Sequence, residues 1–192
     1  YSFGKEYCAF WDDFLTQEEL DYLEFHPSWA NYGKAEIGLQ NTNGEVNESV
    51  RRTYVSWVDL NKESHFIWEK FSRAIAEVNR RYFNFDLTGC YEPIQLGLYK
   101  AKEQGHYDWH TDCGTKDTRV PRKLTMALLL SDPEDFEGGE LQVKLHSDNI
   151  TNLELKKGRA WFFPSYTLHR VTPVTKGIRK SAVLWVGGPE FR

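Results

Sequence analysis

The sequence predicts a mainly β protein with flanking α-helices, its core a double-sheet jelly roll (double-stranded β-helix). Three observations carry that expectation. Helical signals fall in two stretches before residue 90, the pattern changes after Pro93 to eight short β-like runs, and turn residues separate those runs.

The first helix begins at Thr16-Gln17-Glu18-Glu19, where the Thr16 hydroxyl can accept from the amide at position 19 while Glu19 reaches back, a capping box that predicts a helix to about residue 26. Residues 30–49 are polar, with turn signals at Asn31, Gly33, Asn43 and Gly44, and lead into a β-branched and aromatic run at 52–60 read as a strand. From 63 to 82 the residues Phe66, Ile67, Phe71, Ala74, Ile75 and Val78 recur at helical spacing with charges between them, which predicts the longest helix. The β-like runs are 94–101, 106–112, 124–130, 140–145, 153–155, 160–163, 169–174 and 180–186. Gly138-Gly139, Lys157-Gly158 and Lys176-Gly177 stand in hairpin-like positions between them. No linker, repeat or low-complexity segment interrupts the chain. Residues 1–192 are therefore expected to form one domain, with 1–90 a helical and strand support and 91–188 the jelly-roll core.

At 192 residues and 22.5 kDa the chain is long enough for one sizeable core. Lys and Arg total 24 against 28 Asp and Glu, a balance that argues against a general nucleic-acid or anionic-membrane surface. The exception is local: residues 145–192 hold eight Lys or Arg and three acids, a basic end suited to attracting an anion. No apolar run approaches the roughly 18 residues of a membrane span. Cys8, Cys90 and Cys113 are too few for a disulfide framework, and Tyr1-Ser2-Phe3-Gly4 has neither the basic nor the apolar region of a secretory signal. A reducing, cytoplasmic setting is expected.

In the run Tyr107-Asp108-Trp109-His110-Thr111-Asp112, strand alternation points His110 and Asp112 the same way. His169 follows 57 residues later, far enough for about four short strands to return it to the same end of a roll. Two His and one carboxylate make a facial triad that leaves about three metal positions open, a set suited to Fe(II); a closed structural zinc site would want a fourth ligand. Arg179 lies ten residues beyond His169 at the start of an apolar strand, where a buried guanidinium needs an anionic partner such as a bidentate carboxylate.

Other groups carry weaker signals. Tyr107, Asp108 and Trp109 flank the triad and either meet a substrate or pack between sheets. Arg119, Arg122 and Lys123 read as a solvated, Pro-containing loop, and Cys113 adjoins Asp112 without a catalytic sign. His106 and His110 are four apart, but no Glu follows the first, so a metalloprotease helix is excluded. His26, His65 and His146 have no partners at metal-ligand spacing.

His110-Thr111-Asp112, His169 and Arg179 together resemble the Fe(II)- and 2-oxoglutarate-dependent oxygenases, and most nearly their prolyl 4-hydroxylase-like branch, including bacterial and phage hydroxylases of uncharacterised substrate. The supporting runs are residues 122–133, Glu137-Gly138-Gly139-Glu140-Leu141, Phe163-Pro164-Ser165 and residues 169–179. The resemblance implies an enzyme in which His110, Asp112 and His169 hold Fe(II), Arg179 grips the far carboxylate of 2-oxoglutarate, and O2 is the second co-substrate. Oxidative decarboxylation to succinate and CO2 is then coupled to hydroxylation of an unactivated C–H bond, most plausibly of a prolyl residue in a peptide or protein, with ascorbate as a stimulant. Retention of Asp112 favours hydroxylation over halogenation.

The resemblance also places Tyr99 near a tyrosine that bonds 2-oxoglutarate, and Trp185 near a tryptophan lining the site. Leu129 stands where many relatives have a second co-substrate tyrosine, a bond that Tyr99 or Thr125 would then supply. AlkB-type demethylation of nucleic acid is disfavoured because its paired arginines are six apart and position 185 is Trp. Hydroxylation of a free amino acid or other small molecule, a non-catalytic metal-binding module and a cupin-like zinc hydrolase remain alternatives, the last two leaving Arg179 without a role. Neither nucleic acid nor membrane is an expected partner, and nothing in the residues sets an oligomeric state.

Overall fold

The Thr16 capping box forms as its spacing predicts: the Thr16 hydroxyl accepts from the Glu19 amide at 3.2 Å and the Glu19 carboxylate accepts from the Thr16 amide at 2.8 Å. The computed structural model describes residues 7–35, 46–114, 120–145 and 149–191. The elements are β1 (Ala9–Trp11), α1 (Gln17–Glu24), β2 (Gly33–Lys34), β3 (Arg51–Arg52), β4 (Tyr54–Val58), α2 (His65–Val78), β5 (Ile94–Lys100), β6 (His106–His110) and β7 (Arg122–Leu129), then β8 (Phe136–Gly138), β9 (Leu141–Lys144), β10 (Ile150–Leu153), β11 (Ala160–Pro164), β12 (Leu168–Val171) and β13 (Val174–Gly187).

These strands form two antiparallel sheets. The larger runs β1-β11-β7-β13-β5-β4-β2, with β8 paired to the first part of β13; the smaller runs β10-β9-β12-β6-β3. Their arrangement is the jelly roll the strand count predicts. Along β7 and β13 the side chains alternate. Leu124, Met126 and Leu128, with Ala182, Leu184 and Val186, pack beneath the Ile67, Phe71, Ala74, Ile75 and Val78 face of α2. The intervening positions, Thr125, Ala127 and Leu129 with Arg179, Ser181, Val183 and Trp185, face a cavity between the sheets.

Several elements depart from expectation for local reasons. α1 stops at Glu24 because Pro27 disfavours helix at the residue before it, and His26 is extended at φ −58°, ψ 139°. The single strand read at 52–60 divides: β3 joins the small sheet and β4 the large one, with the Thr53 hydroxyl donating to the His106 carbonyl at 3.2 Å between them. The helix read at 63–82 is α-helical over α2 and finishes in a π-turn closed by left-handed Asn84, where the Asn79 amide both donates to and accepts from the Phe85 backbone at 2.9 Å. Lys176-Gly177 is not a hairpin but lies within β13, the longest strand; at φ +71° a Cβ on Gly177 would sit 2.0 Å from the Asp135 carbonyl, so glycine permits the close backbone approach of β8. β1, β2 and β8, each two or three residues, are too short to show a period.

The N-terminal strand is tied down by charge as well as by pairing. β1 pairs β11, Arg159 forks onto both Asp12 oxygens at 2.7 and 2.8 Å, and Lys157 reaches Glu24 at 3.0 Å. Thr16→Ala should remove the α1 cap and lower stability by about 1 kcal/mol, read from the midpoint of urea unfolding at unchanged slope.

Candidate active site

β6 and β12 are hydrogen-bonded neighbours whose register sets His110 directly opposite His169. Each ring is turned by the same device: Nδ1 of His110 donates to the Asp108 carbonyl at 2.7 Å and Nδ1 of His169 to the Thr167 carbonyl at 2.8 Å. A donor at Nδ1 leaves the Nε2 lone pair for the interior. β6 ends at His110, two residues short of the strand read from the sequence, so Asp112 is not placed by alternation. Its amide instead donates to the Ser165 carbonyl at 2.7 Å, which brings the carboxylate to 3.4 Å from His110 Nε2 and 3.3 Å from His169 Nε2. One ligand atom from each of the three residues lies within 4.8 Å of the others.

The electrostatics follow from burial and mutual contact. Burial, then the neighbouring His169 charge, holds His110 below its ordinary pKa. Burial also acts to lower His169, but the adjacent Asp112 carboxylate outweighs it and raises this imidazole. Burial would raise Asp112, yet the two imidazoles win and keep it well below the usual carboxylate range. The Thr125 hydroxyl donates to Asp112 Oδ2 at 3.1 Å and lies 3.0 Å from the Ser165 hydroxyl. Thr125, expected to compensate for Leu129 at a co-substrate, is thus engaged on the triad carboxylate.

Arg179 stands across the cavity, opposite Tyr99 in the β13–β5 register, its guanidinium 5.1 Å from the Tyr99 ring centre. It is 4% exposed, forms no salt bridge among the described residues, and its Nε has no hydrogen-bond partner. Burial depresses its pKa. Room for its stem comes from Gly139, where an added Cβ would lie 2.8 Å from Arg179 Cδ. The cavity shares Arg51, Gln95, Tyr107, Asp112 and Trp185 with an outer cleft of about 530 Å³.

The structure therefore brings together His110, Asp112, His169, Arg179, Tyr99 and Trp185 around one cavity. Trp185 carries the Arg122 guanidinium 3.8 Å above its ring, and its buried Nε1 has no acceptor. Arg122 and Lys123 open strand β7 rather than forming a solvated loop, because Arg122 is bonded to both oxygens of Glu92, one at 2.6 Å, and Lys123 is buried; Arg119 lies outside the described residues. Trp109 takes neither role foreseen for it: it faces the outside of the small sheet, between Lys144 and Arg170. His26 bonds Ser28, and His146 is outside the described residues.

Sequence reasoning did not find Arg51 or Gln95. The Arg51 guanidinium sits 4.3 Å above Tyr107, which stacks on His110 at 3.4 Å and 10°. Gln95 shares strand parity with Tyr99, the one signal that pointed to it; Arg51, on a two-residue strand, had none.

A model of the 2OG-Fe(II) oxygenase superfamily matches residues 94–187. A PKHD-type hydroxylase of Synechococcus sp. (strain JA-2-3B'a(2-13)) is 41% identical over 121 residues, covering 61% of this chain and 54% of that protein. The chain thus spans about half the length of such curated relatives. Among solved structures, a prolyl hydroxylase from Trichoplax adhaerens in complex with a hypoxia inducible factor peptide fragment superposes with a TM-score of 0.73 at 18% identity, over 95% of this chain and 84% of that one. A Pseudomonas putida prolyl-4-hydroxylase gives 0.72 at 18% identity, over 95% and 93%. These two likenesses establish a shared jelly-roll fold.

In the metal-free protein, a histidine NMR titration should place His169 above and His110 below the ordinary value near 6.5. The raised His169 pKa contributes stability that is present below about 6.5 and lost as pH rises through the folded value. Asp112→Asn removes the opposing charge, so burial should then carry His169 below the ordinary value; an unmoved His169 would refute the pairing.

Proposed function

We propose, from the match of residues 94–187 to a model of the 2OG-Fe(II) oxygenase superfamily, that this protein is an Fe(II)- and 2-oxoglutarate-dependent hydroxylase of a prolyl residue in a peptide or protein, releasing succinate and CO2. The observation that supports it most is the pairing across one cavity of a His-Asp-His cluster with a buried guanidinium that has no carboxylate of its own. Two Nε2 lone pairs and one ionised carboxylate are the donor set of an open divalent site, and no fourth His, Cys, Asp or Glu joins them among the described residues. When bound, the metal supplies the activation of O2 that drives decarboxylation of the keto acid.

The chain's own residues do the rest. Arg179 offers a planar fork to a carboxylate at the closed end of the cavity, where burial strengthens the pairing. Tyr99 lies under that fork, and Leu129 keeps the neighbouring wall apolar. Thr125 and Ser165 fix the Asp112 carboxylate. Trp185, clamped by Arg122 and Glu92, divides the inner cavity from the cleft, where a peptide segment fits. The printed names of the relatives, PKHD-type hydroxylase and prolyl hydroxylase, support the choice of a prolyl target. The three free thiols support a reducing compartment such as the cytoplasm; Cys8 is pushed by burial up to about 12 and Cys90 to about 11. Among the described residues no helix is long and apolar enough to cross a membrane.

Anaerobic addition of Fe(II) and 2-oxoglutarate should give a visible charge-transfer band, and admitting oxygen in the presence of ascorbate should yield succinate; folded, iron-loaded protein with neither would sink the proposal. Arg179→Ala should raise the KM for 2-oxoglutarate roughly ten- to hundredfold, the loss of a charge-assisted hydrogen bond, while Zn(II) affinity stays within about twofold. Loss of metal affinity to the same degree would remove Arg179 from that role. Gly139→Ala should shift the same KM in the same direction, because its Cβ displaces the Arg179 stem and its φ of +63° disfavours a side chain.

A further inference from the structure

Gln95 is 7% exposed, lies on the cavity face of β5, and lines both the inner cavity and the outer cleft. Its one side-chain bond among the described residues is at Oε1, which accepts from Arg51 Nη2 at 2.9 Å. A guanidinium has only donors, so the amide oxygen must face Arg51. The amide nitrogen, with two N–H groups and no acceptor, is therefore left for the cavity. Trp185, also 7% exposed, presents a second N–H without an acceptor at the same junction. The buried Trp185 N–H left unpaired costs more than a made bond returns, and the Gln95 amide opens on the same space, so this junction suits a molecule that brings acceptors to it.

We propose that Gln95 is a specificity-determining residue whose amide N–H, aimed by Arg51, donates to a carbonyl oxygen flanking the C–H bond to be hydroxylated. The inference rests on the hydroxylase reading above and adds to it the group that recognises substrate. Arg51 is a positioning residue: it stacks on Tyr107 and is held there while it orients the amide. An N-acylated residue brings a carbonyl on the amino side of its α-carbon that a free amino acid lacks, so the N-acylated form is accepted where the free amino acid is rejected.

The test uses the full chain with Fe(II), 2-oxoglutarate and ascorbate under air, offered each of the common L-amino acids in two forms, free and as its N-acetyl amide. Succinate released above the substrate-free rate is the readout. Stimulation by one or more N-acetyl amides and by no free amino acid is expected. For the stimulating probe, Gln95→Met should raise KM about tenfold, the loss of one neutral hydrogen bond, while the KM for 2-oxoglutarate moves less than twofold. Arg51→Met should produce a smaller rise, and the double variant should be no worse than Gln95→Met alone, since Arg51 acts through Gln95.

Gln95→Glu keeps the size and the Arg51 partner but loses the donors, so it should match Gln95→Met and serves if that variant fails to fold. Stimulation by a free amino acid, stimulation by no probe, an unchanged probe KM in both Gln95 variants, or additive effects of the two substitutions would each overturn the inference. Absence of succinate from every sample, probe or none, would instead defeat the hydroxylase reading itself.

Discussion

The wall of the cavity that carries Arg179 depends on the large sheet having two unlike faces. The side chains of β7 and β13 alternate with period two, and α2 seals one side with a continuous apolar stripe. Because that side takes Leu124, Met126, Leu128, Leu184 and Val186, the other is free to carry Thr125, Arg179, Ser181 and Trp185. A one-residue slip of β13 against β7 would turn Arg179 into the helix layer and expose a leucine to the cavity. The stability of the helix-facing core and the placement of the functional groups are one constraint.

That constraint holds charges where water cannot reach them. Asp112, His169 and Arg179 are all less than a tenth exposed. The first two satisfy each other, with Thr125, Ser165 and the Thr167 carbonyl completing the shell. Arg179 has an aromatic ring and no anion among the described residues. Desolvating a guanidinium without a counter-charge costs several kcal/mol, and the tightly packed β5–β13–β7 register is what sustains it. A dicarboxylate bound there as proposed would relieve that cost and gain affinity from it.

Much of this was legible in the residues, and the limits have physical causes. The jelly roll followed from eight short β-like runs separated by turn residues. His110, Asp112 and His169 were picked out by parity and spacing and Arg179 by its place at the start of an apolar strand, and the structure brings all four to one cavity. Asp112 was found for an incomplete reason: alternation suggested it, yet the Ser165 backbone is what holds it, a contact 53 residues away in sequence. Lys176-Gly177, between the runs 169–174 and 180–186, read as a turn because Gly177 looks like a hairpin residue, whereas the glycine is needed for close approach of a neighbouring strand. Trp109 showed that aromatic character says nothing of which face a residue takes once a strand ends in a bulge. Arg51 was invisible because two residues carry no period.

The position of Arg51 also divides labour along the chain. Residues 94–187, which match the superfamily model, hold His110, Asp112, His169, Arg179, Tyr99 and Trp185, the groups assigned above to metal and co-substrate. The wall of the outer cleft is built largely from earlier residues: Gly33 and Lys34 on β2, Arg51 on β3, Val55 and Trp57 on β4. β4 pairs β5, β3 pairs β6 and β2 pairs β4, so these strands meet the cleft without touching the β7–β13 register that places Arg179. A change in β2, β3 or β4 can therefore reshape the cleft at little cost to the catalytic constellation. Gln95 sits at the seam, on a strand within the matched segment but bonded to an arginine from outside it. If Gln95 recognises substrate as proposed, substrate choice is set where the two parts meet, and a relative with another residue at the Arg51 position should present a differently aimed group at the Gln95 position.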